Sequence, residues 1–201
     1  MSSDNSNNVT RCGWCLGDDL YLEYHDKEWG SPLYDDQKLF EFLLLEGAQA
    51  GLSWITVLRK RENYRLAFDQ FDASKIARYG EKEKRLLLQN PGIIRNKLKV
   101  KSAINNAQRY LDIQSRGSFS EYIWDFVEGK TVQNNFKTLA DVPSNSDTSD
   151  LMAKTLKKAG FNFVGSTICY AFMQATGMVN DHVLACYRHV ECQKAVPVKT
   201  S

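Results

Sequence analysis

The stretch from Leu39 to Ala50 constrains the fold of this chain more than any other part of its 201-residue sequence. Its apolar residues recur at intervals of three and four, the period of an α-helix, and further leucines and phenylalanines occupy the other side. A helix that is apolar almost all round is stable only when other elements surround it. We therefore predict a central core helix, with Glu46 as a carboxylate on its apolar surface.

Helical patterns also dominate the rest of the chain. Caps and turn signals predict helices at residues 72–77, 81–89, 97–115, 121–127, 151–159 and 167–176, the last being the final long helix, and a loop at residues 141–150. There is no alternation of strands and helices, no convincing period-2 run and no internal repeat. The sequence therefore predicts an all-α fold.

The two ends of the chain differ in character from the part between them. Residues 1–10 are polar and lack the apolar stretch of a signal peptide. We expect disordered tails at residues 1–10 and 193–201 and a helical domain at residues 11–192. No run approaches the roughly 18 apolar residues of a membrane span, so we expect a cytoplasmic protein without a membrane partner, and a monomer.

Charge and cysteine content exclude some classes of protein. The 26 lysines and arginines against 24 aspartates and glutamates give a net charge of +2, so any affinity for nucleic acid must depend on where the charges lie. Five cysteines, an odd number, favour reduced thiols or metal ligands over a disulfide framework.

Soft metal ligands cluster at the two ends of the chain. They are Cys12, Cys15 and His25 near one end and His182, Cys186, His189 and Cys192 near the other. Zinc prefers four thiolate or imidazole ligands, and a zinc ion shared by both ends would close a loop of about 170 residues. Such a set leaves no open position for a catalytic water. Scattered buried thiols are the alternative.

The spacing alone does not decide which thiols bind, because Cys12-Gly-Trp-Cys15 offers two of them. The same Cys-X-X-Cys motif would suit a redox enzyme, but no βαβ pattern surrounds it here.

Large aromatic residues are dense in the first quarter of the chain. They are Trp14, Tyr21, Tyr24, Trp29 and Trp54. Together with a buried carboxylate such as Glu46, they can form a cage for a planar cation through stacking and cation–π attraction. Packing alone is the simpler explanation of these aromatics.

Basic residues form two clusters beside glycine turns. They are Arg95, Lys97, Lys99 and Lys101 after Gly92, and Lys154, Lys157 and Lys158 before Gly160. Helix N-termini beside such turns suit a phosphate group, although an ordinary solvated helix face would have the same charges. Leu52, next to Gly51, is either a wedge between bases or a core residue.

Five segments closely resemble the DNA-3-methyladenine glycosylase I family of the helix-hairpin-helix DNA glycosylase superfamily. They are RCGW at 11–14, YHDKEWG at 24–30, LFEFLLLEGAQAGLSWITVLRKRENYR at 39–65, NPGIIRNKLK at 90–99 and GFNFVGSTICYAFMQATGMVNDH at 160–182. The resemblance covers about residues 11–186. It implies two helical subdomains whose terminal segments are joined by a zinc site, and excision of 3-methyladenine from alkylated double-stranded DNA, with the free base as product.

The resemblance also assigns site residues. One structural zinc ion per chain falls on Cys12, His25, His182 and Cys186, and the catalytic, base-contacting carboxylate falls on Glu46. The base pocket falls on Trp14, Tyr21, Tyr24 and Trp54. The DNA contacts fall on Ala50, Gly51 and Leu52 of an intercalating loop and on Gly160, Gly165, Ser166 and Thr167 of a hairpin. Lys158, from the basic cluster before Gly160, is a further expected DNA contact.

The chain departs from the superfamily at one catalytic position. Many superfamily members have an aspartate in a V-D-x-H string, whereas this chain has Val179-Asn180-Asp181-His182. If His182 fixes the register, Asn180 replaces that aspartate. N3-methylation already makes adenine a good leaving group, so we expect hydrolysis without this aspartate. With Ser166 and Thr167 in the hairpin instead of a lysine, we expect no lyase activity. A zinc-stabilised module that binds DNA without excision is the alternative.

Overall fold

The computed structural model describes residues 9–194 and confirms the all-α prediction for that part of the chain. Its helices are α1 (Asp19–Lys27), α2 (Asp36–Gln49), α3 (Trp54–Leu58), α4 (Arg61–Ala67), α5 (Ala73–Ile76), α6 (Glu81–Gln89), α7 (Lys97–Gln114), α8 (Phe119–Trp124), α9 (Asp147–Lys158), α10 (Ser166–Ala175) and α11 (Tyr187–Lys194). No helix among them has the length and apolar character needed to cross a membrane.

Helix α2 lies at the centre of the fold, as its sequence predicts. Ten consecutive residues, from Leu39 to Ala48, are buried. The helix begins where the Asp35 side chain accepts the Lys38 amide, which satisfies one of the unpaired N–H groups of the first turn. Helices α3, α7, α8 and α10 pack around it. The helix therefore presents every side chain of its middle turns to another element.

The prediction missed a second buried carboxylate on α2. Glu41 is 8% exposed, and its carboxylate is paired with the Arg65 guanidinium of α4 at 2.7 Å. Its charge is therefore compensated inside the protein, which is the usual condition for burying an ionised group. Glu41 therefore differs from Glu46, which has no such ion pair in the described part of the chain.

Several predicted boundaries are wrong. Helix α9 begins at Asp147 instead of after residue 150, because the Ser146 hydroxyl accepts the Ser149 amide and caps the helix there. A short polar helix, α11, follows α10, and the prediction did not include it. Two short strands, β1 (Val132–Gln133) and β2 (Val179–Asn180), pair in parallel. At two residues each, they are too short to leave a periodic signal.

The described ends of the chain are part of the folded body. The Thr10 carbonyl accepts the Tyr187 amide at 3.0 Å, and α11 continues to Lys194. Residues 9, 10, 193 and 194 of the predicted tails lie in the described part of the chain. Residues 1–8 and 195–201 lie outside the described part. The division of residues 11–192 into two subdomains stays a prediction.

Gly177 allows the end of α10 to approach the segment after α1. Its φ is +69°, and a Cβ atom there would lie 2.3 Å from the carbonyl carbon of Ser31. We expect Gly177→Ala to lower the free energy of unfolding by about 2–5 kcal/mol, from about 1–2 kcal/mol of backbone strain and about 1–3 kcal/mol of displaced packing. Denaturant unfolding measures this loss.

Gly129→Ala is the matched control for that measurement. Gly129 has almost the same φ, +71°, but nothing lies within 4 Å of a Cβ atom built on it. Only the backbone strain applies, so we expect a loss of about 1–2 kcal/mol. Equal losses in the two variants would contradict the close approach at Gly177.

Candidate functional site

Four soft ligands from opposite ends of the chain meet in one buried cluster. Cys12, His25, His182 and Cys186 are all buried, and their ligand atoms lie within 4.8 Å of one another. Sulfur to imidazole-nitrogen distances are 3.4 Å for Cys186 to His25 and 3.6 Å for both Cys12 to His182 and Cys186 to His182. A tetrahedral zinc site has S···N separations of about 3.6 Å. The cluster therefore fits a four-coordinate metal ion.

Hydrogen bonds on the far side of each imidazole fix which nitrogen faces the cluster. His25 Nδ1 bonds the Asp26 carboxylate at 2.8 Å, which leaves Nε2 facing the thiols. His182 Nε2 bonds the Trp29 carbonyl at 3.0 Å, which leaves Nδ1 facing them. Each imidazole then offers a lone pair to the cluster, the arrangement usual around metal-binding histidines.

The electrostatics of the cluster also favour metal binding. Partial burial raises the pKa of Asp26, but hydrogen bonds from Arg11, His25 and Tyr187 outweigh it and lower that pKa to about 2. Hydrogen bonding with Cys12, and then with the two histidines, lowers the pKa of Cys186 and favours its thiolate, whereas the same hydrogen bond with Cys186, together with burial, raises the pKa of Cys12. A thiolate is the form of cysteine that binds metal.

Cys15 lies outside the cluster, although it shares the Cys-X-X-Cys motif. Its thiol is buried and donates to the Cys12 carbonyl at 3.0 Å. Burial raises its pKa to about 11, so it stays a thiol. The geometry therefore places Cys12 and not Cys15 among the candidate metal ligands.

A cavity of about 460 Å³ opens beside the metal cluster. All the residues that the sequence predicts for the base pocket line it, namely Trp14, Tyr21, Tyr24, Glu46 and Trp54. Trp14 meets Tyr21 edge to face at a centroid distance of 5.3 Å, and Tyr24 lies 5.5 Å from Trp54. The cavity is thus walled by aromatic rings, as a site for a flat ligand requires.

Glu46 is the notable polar group of this cavity. It is 2% exposed, and its Oε2 atom has no hydrogen-bond partner in the described part of the protein. Burial raises the pKa of Glu46 to about 8. Trp54 Nε1 on the cavity wall is also buried and unpartnered there. An acceptor and a donor left without partners at one cavity are the pattern of a ligand-binding site.

The metal cluster and the cavity share their supporting elements. Trp14 lies in the 3-10 turn Gly13–Cys15 that directly follows Cys12, and its ring is 5.4 Å from that of His25. Tyr24 precedes His25 in α1, and the backbone of Trp29 accepts the His182 imidazole N–H. A metal ion in the cluster would therefore brace one wall of the cavity.

The predicted intercalating loop begins where α2 ends. Gly51 has a φ of +79° with open space around it, and Leu52 is 41% exposed. Glu46 lies on the last turns of the same helix. The structure therefore brings the loop residues Ala50, Gly51 and Leu52 to the helix end that carries the cavity carboxylate.

The predicted hairpin joins α9 to α10. Lys158 and Thr167 are exposed, and Gly165 precedes the first residue of α10, Ser166, with open space around it. No side chain caps α10, so its first amides are without intrahelical partners. Asn105 and Asn106 of α7 hold the loop by bonding the carbonyls of Gly160 and Asn162. The Ser166 hydroxyl donates to the Asp150 carboxylate and bonds the Ser149 hydroxyl at 2.9 Å, so one carboxylate of α9 already lies beside the N-terminus of α10.

Asn180, which replaces the superfamily aspartate, and Asp181, which follows it, are not among the cavity-lining residues of the described part. Asn180 donates to Gln133 and to the His189 carbonyl. Asp181 is fully buried and accepts hydrogen bonds from Asn134, Tyr170 and Gln174 at 2.7–2.8 Å. Asp181 is therefore linked to the cavity through Gln174, which lines it.

Sequence reasoning missed several residues of the cavity wall. They are Trp29, Gln49, Leu139, Val142, Pro143, Ala171 and Gln174. The segment around Leu139 carries no periodic or motif signal, and it reaches the cavity only because the chain folds back across it. Trp29 could have been included, since it belongs to the same aromatic group in the sequence.

Comparisons with known proteins show which family this chain resembles. The Methyladenine glycosylase family matches residues 14–189. DNA-3-methyladenine glycosylase 1 of Escherichia coli (strain K12) is 51% identical over 89% of this chain and 96% of its own length. DNA-3-methyladenine glycosylase of Haemophilus influenzae is 49% identical over 89% of this chain and 97% of its own length.

Solved structures show the same similarity. A crystal structure of 3-methyladenine DNA glycosylase I superposes with a TM-score of 0.87 at 51% identity, covering 89% of this chain and 98% of the other. A structure of the Staphylococcus aureus 3-methyladenine DNA glycosylase I, solved to explain 3-methyladenine recognition, gives 0.85 at 38% identity over 88% and 95%. From sequence, fold and relatives alike, this chain belongs to the methyladenine glycosylase family.

Proposed function

We propose that this protein is a DNA-repair glycosylase that flips 3-methyladenine out of alkylated double-stranded DNA and hydrolyses its N-glycosidic bond. The observation that carries this proposal is the aromatic cavity containing the buried, unpartnered Oε2 atom of Glu46. The relatives are named DNA-3-methyladenine glycosylases, and these names indicate the substrate that we propose. A base inside duplex DNA must leave the stack to reach such a cavity.

Glu46 and the aromatic rings would select the methylated base. Methylation at N3 makes adenine a cation in DNA, whereas normal purines are neutral. A cation is attracted to the faces of Tyr and Trp rings and to the Glu46 carboxylate. Glu46 would also accept a hydrogen bond from the exocyclic amino group of the base. Discrimination thus depends on the charge of the base.

Cleavage itself demands less of the protein than discrimination. The cationic base is already a good leaving group, so water attacks C1′, the electrons of the glycosidic bond move to the base, and the base leaves neutral. The proton lost by the water passes to solvent. The cavity wall has no lysine among the described residues, so no amine is placed to form a Schiff base with the sugar. The proposed reaction is therefore monofunctional hydrolysis without strand cleavage.

Two structural elements would hold the DNA. The exposed Leu52 side chain would fill the gap left by the flipped base and offset part of the few kcal/mol that flipping costs. The helix-hairpin-helix unit α9–α10 would bind a phosphate through the free amides at the start of α10, with Lys158 nearby. These contacts do not depend on the DNA sequence, so the protein could bind a lesion in any sequence context.

The metal in the Cys12, His25, His182 and Cys186 cluster would be one structural zinc ion. Two thiolates and two imidazoles suit zinc, and four protein ligands leave no open position for catalytic water. The ion would supply a link between the two ends of the chain. No step of base release involves it.

A single assay tests the function. Methylated DNA is incubated with the purified protein, and the released bases are separated by chromatography while the metal content of the same sample is measured. We expect free 3-methyladenine and intact strands. Binding of methylated DNA without any release of base would instead support a DNA-binding module.

A further inference from the structure

We propose that Lys99 is a positioning residue that holds the Ala50–Leu52 loop in place for base flipping, and that it does not bind a DNA phosphate. This inference rests on the proposed function of the loop. It corrects the sequence interpretation, which grouped Lys99 with Arg95, Lys97 and Lys101 as one basic cluster.

The Lys99 ammonium is bound to the backbone at the end of α2. Its Nζ atom donates to the carbonyls of Ala48 at 2.7 Å and Ala50 at 2.8 Å. The last carbonyls of a helix have no intrahelical partners and carry the negative end of the helix dipole. Lys99, which projects from α7, therefore satisfies two of them with a positive charge.

Lys99 differs from its basic neighbours in exposure. Lys97 and Lys101 on the same helix are exposed, whereas Lys99 is half-buried. Burial lowers the pKa of Lys99, which reflects the loss of water around its ammonium. An ammonium has three hydrogens, and two are already directed at carbonyls. A phosphate on the DNA surface would have to compete with both.

The loop has few other constraints. Within the described part of the chain, the Lys99 bond is the one hydrogen bond that reaches residues 50–53 from a distant element. The remaining bonds are local, such as the Leu52 amide to the Gln49 carbonyl. Gly51 at φ +79° adds conformational freedom at the tip. Without Lys99, the loop would sample many conformations.

A wedge must be rigid to act on stacked bases. If the loop were mobile, its ordering cost would be added each time Leu52 entered the duplex. Of the cavity residues on α2, Glu46 lies one turn before Ala50, inside the helix, and Gln49 is the last residue of the helix. Loss of Lys99 should therefore impair flipping while base binding in the cavity is retained.

Lys99→Met tests this proposal, with Lys101→Met as the variant that removes the same charge from the same helix. We measure kcat/KM for base release from methylated duplex and methylated single strands over a range of salt concentrations. We expect Lys99→Met to lower kcat/KM about tenfold on duplex and less than twofold on single strands. The slope of log kcat/KM against log salt concentration should stay unchanged. Lys101→Met should lower kcat/KM on duplex by less than Lys99→Met does, and it should lower kcat/KM by the same factor on single strands.

Binding of free 3-methyladenine and a double-mutant cycle complete the test. We expect Lys99→Met to bind the free base within twofold of the unmodified protein. In a Leu52→Ala background, Lys99→Met should cause little further loss on duplex, because both changes disable one wedge. If the unmodified protein neither binds free 3-methyladenine nor releases it from DNA, the proposed function fails, whatever Lys99 does.

Three results would overturn the role of Lys99 alone. Equal losses in Lys99→Met and Lys101→Met with a shallower salt slope would identify a phosphate contact. Weakened binding of the free base in proportion to the lost activity would identify a general support of the fold. Full activity of Lys99→Met on duplex would show that the loop needs no such anchor.

Discussion

At pH 8 and above, where Glu46 is ionised, Glu46→Gln is expected to reduce release of 3-methyladenine from methylated duplex DNA by about 100-fold. The glutamine keeps the shape of the side chain and one acceptor oxygen, but it removes the negative charge that faces the cationic base. Hydrogen bonds to charged groups, together with charge attraction in a dry cavity, account for a loss of about 2–3 kcal/mol. Chromatography of released bases gives the rate, and Glu41→Gln serves as a control outside the cavity.

The same variant has a distinct pH dependence. Burial raises the pKa of Glu46 from 4.5 to about 8, and only the carboxylate attracts the cation. We therefore expect kcat/KM to rise with pH up to about 8 and then level off, since this ratio reports groups of the free enzyme. Glu46→Gln should lack this rise. A rise that persists in the variant would assign it to another group.

The pH dependence of protein stability gives an independent check of the Glu46 pKa, because stability should fall over the pH range in which kcat/KM rises. Because the folded state binds the Glu46 proton more tightly than the unfolded state does, the contribution of Glu46 to stability is lost as pH rises from about 5 to 8. Glu46→Gln has no such group. We expect the variant to gain stability relative to the unmodified protein across this window in denaturant unfolding.

Cys12→Ser is expected to abolish metal binding and to lower the free energy of unfolding by about 5 kcal/mol. Cys12 and His182 are 170 residues apart, and a link between positions this distant restricts the unfolded chain by about that amount. Metal content by mass spectrometry and denaturant unfolding measure the two effects. Chelation of the unmodified protein should have the same effect on stability.

Cys15→Ser is the matched control for the metal site. Cys15 is buried three residues away, and a serine hydroxyl can donate to the Cys12 carbonyl as its thiol does. We expect this variant to keep its metal. Loss of metal in both variants alike would contradict the assignment of Cys12 over Cys15.

Metal loss should also weaken binding of the free base. Trp14 follows Cys12 within one turn, Tyr24 adjoins His25, and the Trp29 backbone bonds His182. Release of the cluster would therefore loosen one wall of the cavity. Fluorescence titration with 3-methyladenine before and after chelation, below the temperature of unfolding, measures this coupling. Equal affinity in both states would show that the cavity does not depend on the cluster.

The sequence predicted the central helix well because a run such as residues 39–48 has one stable placement. Ten buried residues in succession leave no face for solvent, so α2 had to lie inside. The four candidate metal ligands and five residues of the cavity wall were also predicted, but through resemblance to a family. Spacing alone left Cys12 and Cys15 as alternatives.

The errors about Lys99 and about the cavity wall share one physical cause. Lys99 belongs to a basic stretch by sequence, yet its neighbour in space is the end of α2, about 50 positions earlier. Leu139 and Gln174 line the cavity without any local signal. Charge and periodicity describe a residue by its sequence neighbours, whereas a contact depends on which segments pack together.

The sequence by itself determined that this chain forms helices around a buried α2 and that thiols and imidazoles lie near the two ends of the chain. Helix propensity and the period of apolar residues depend on neighbouring residues in the sequence, so they can be recognised without the fold. Only the tertiary structure decided that Glu46 Oε2 is without a partner in the cavity, that Lys99 holds the loop and that Asp181 is linked to the cavity through Gln174. Those properties depend on dehydration and hydrogen bonds between distant segments, which exist only once the helices have packed.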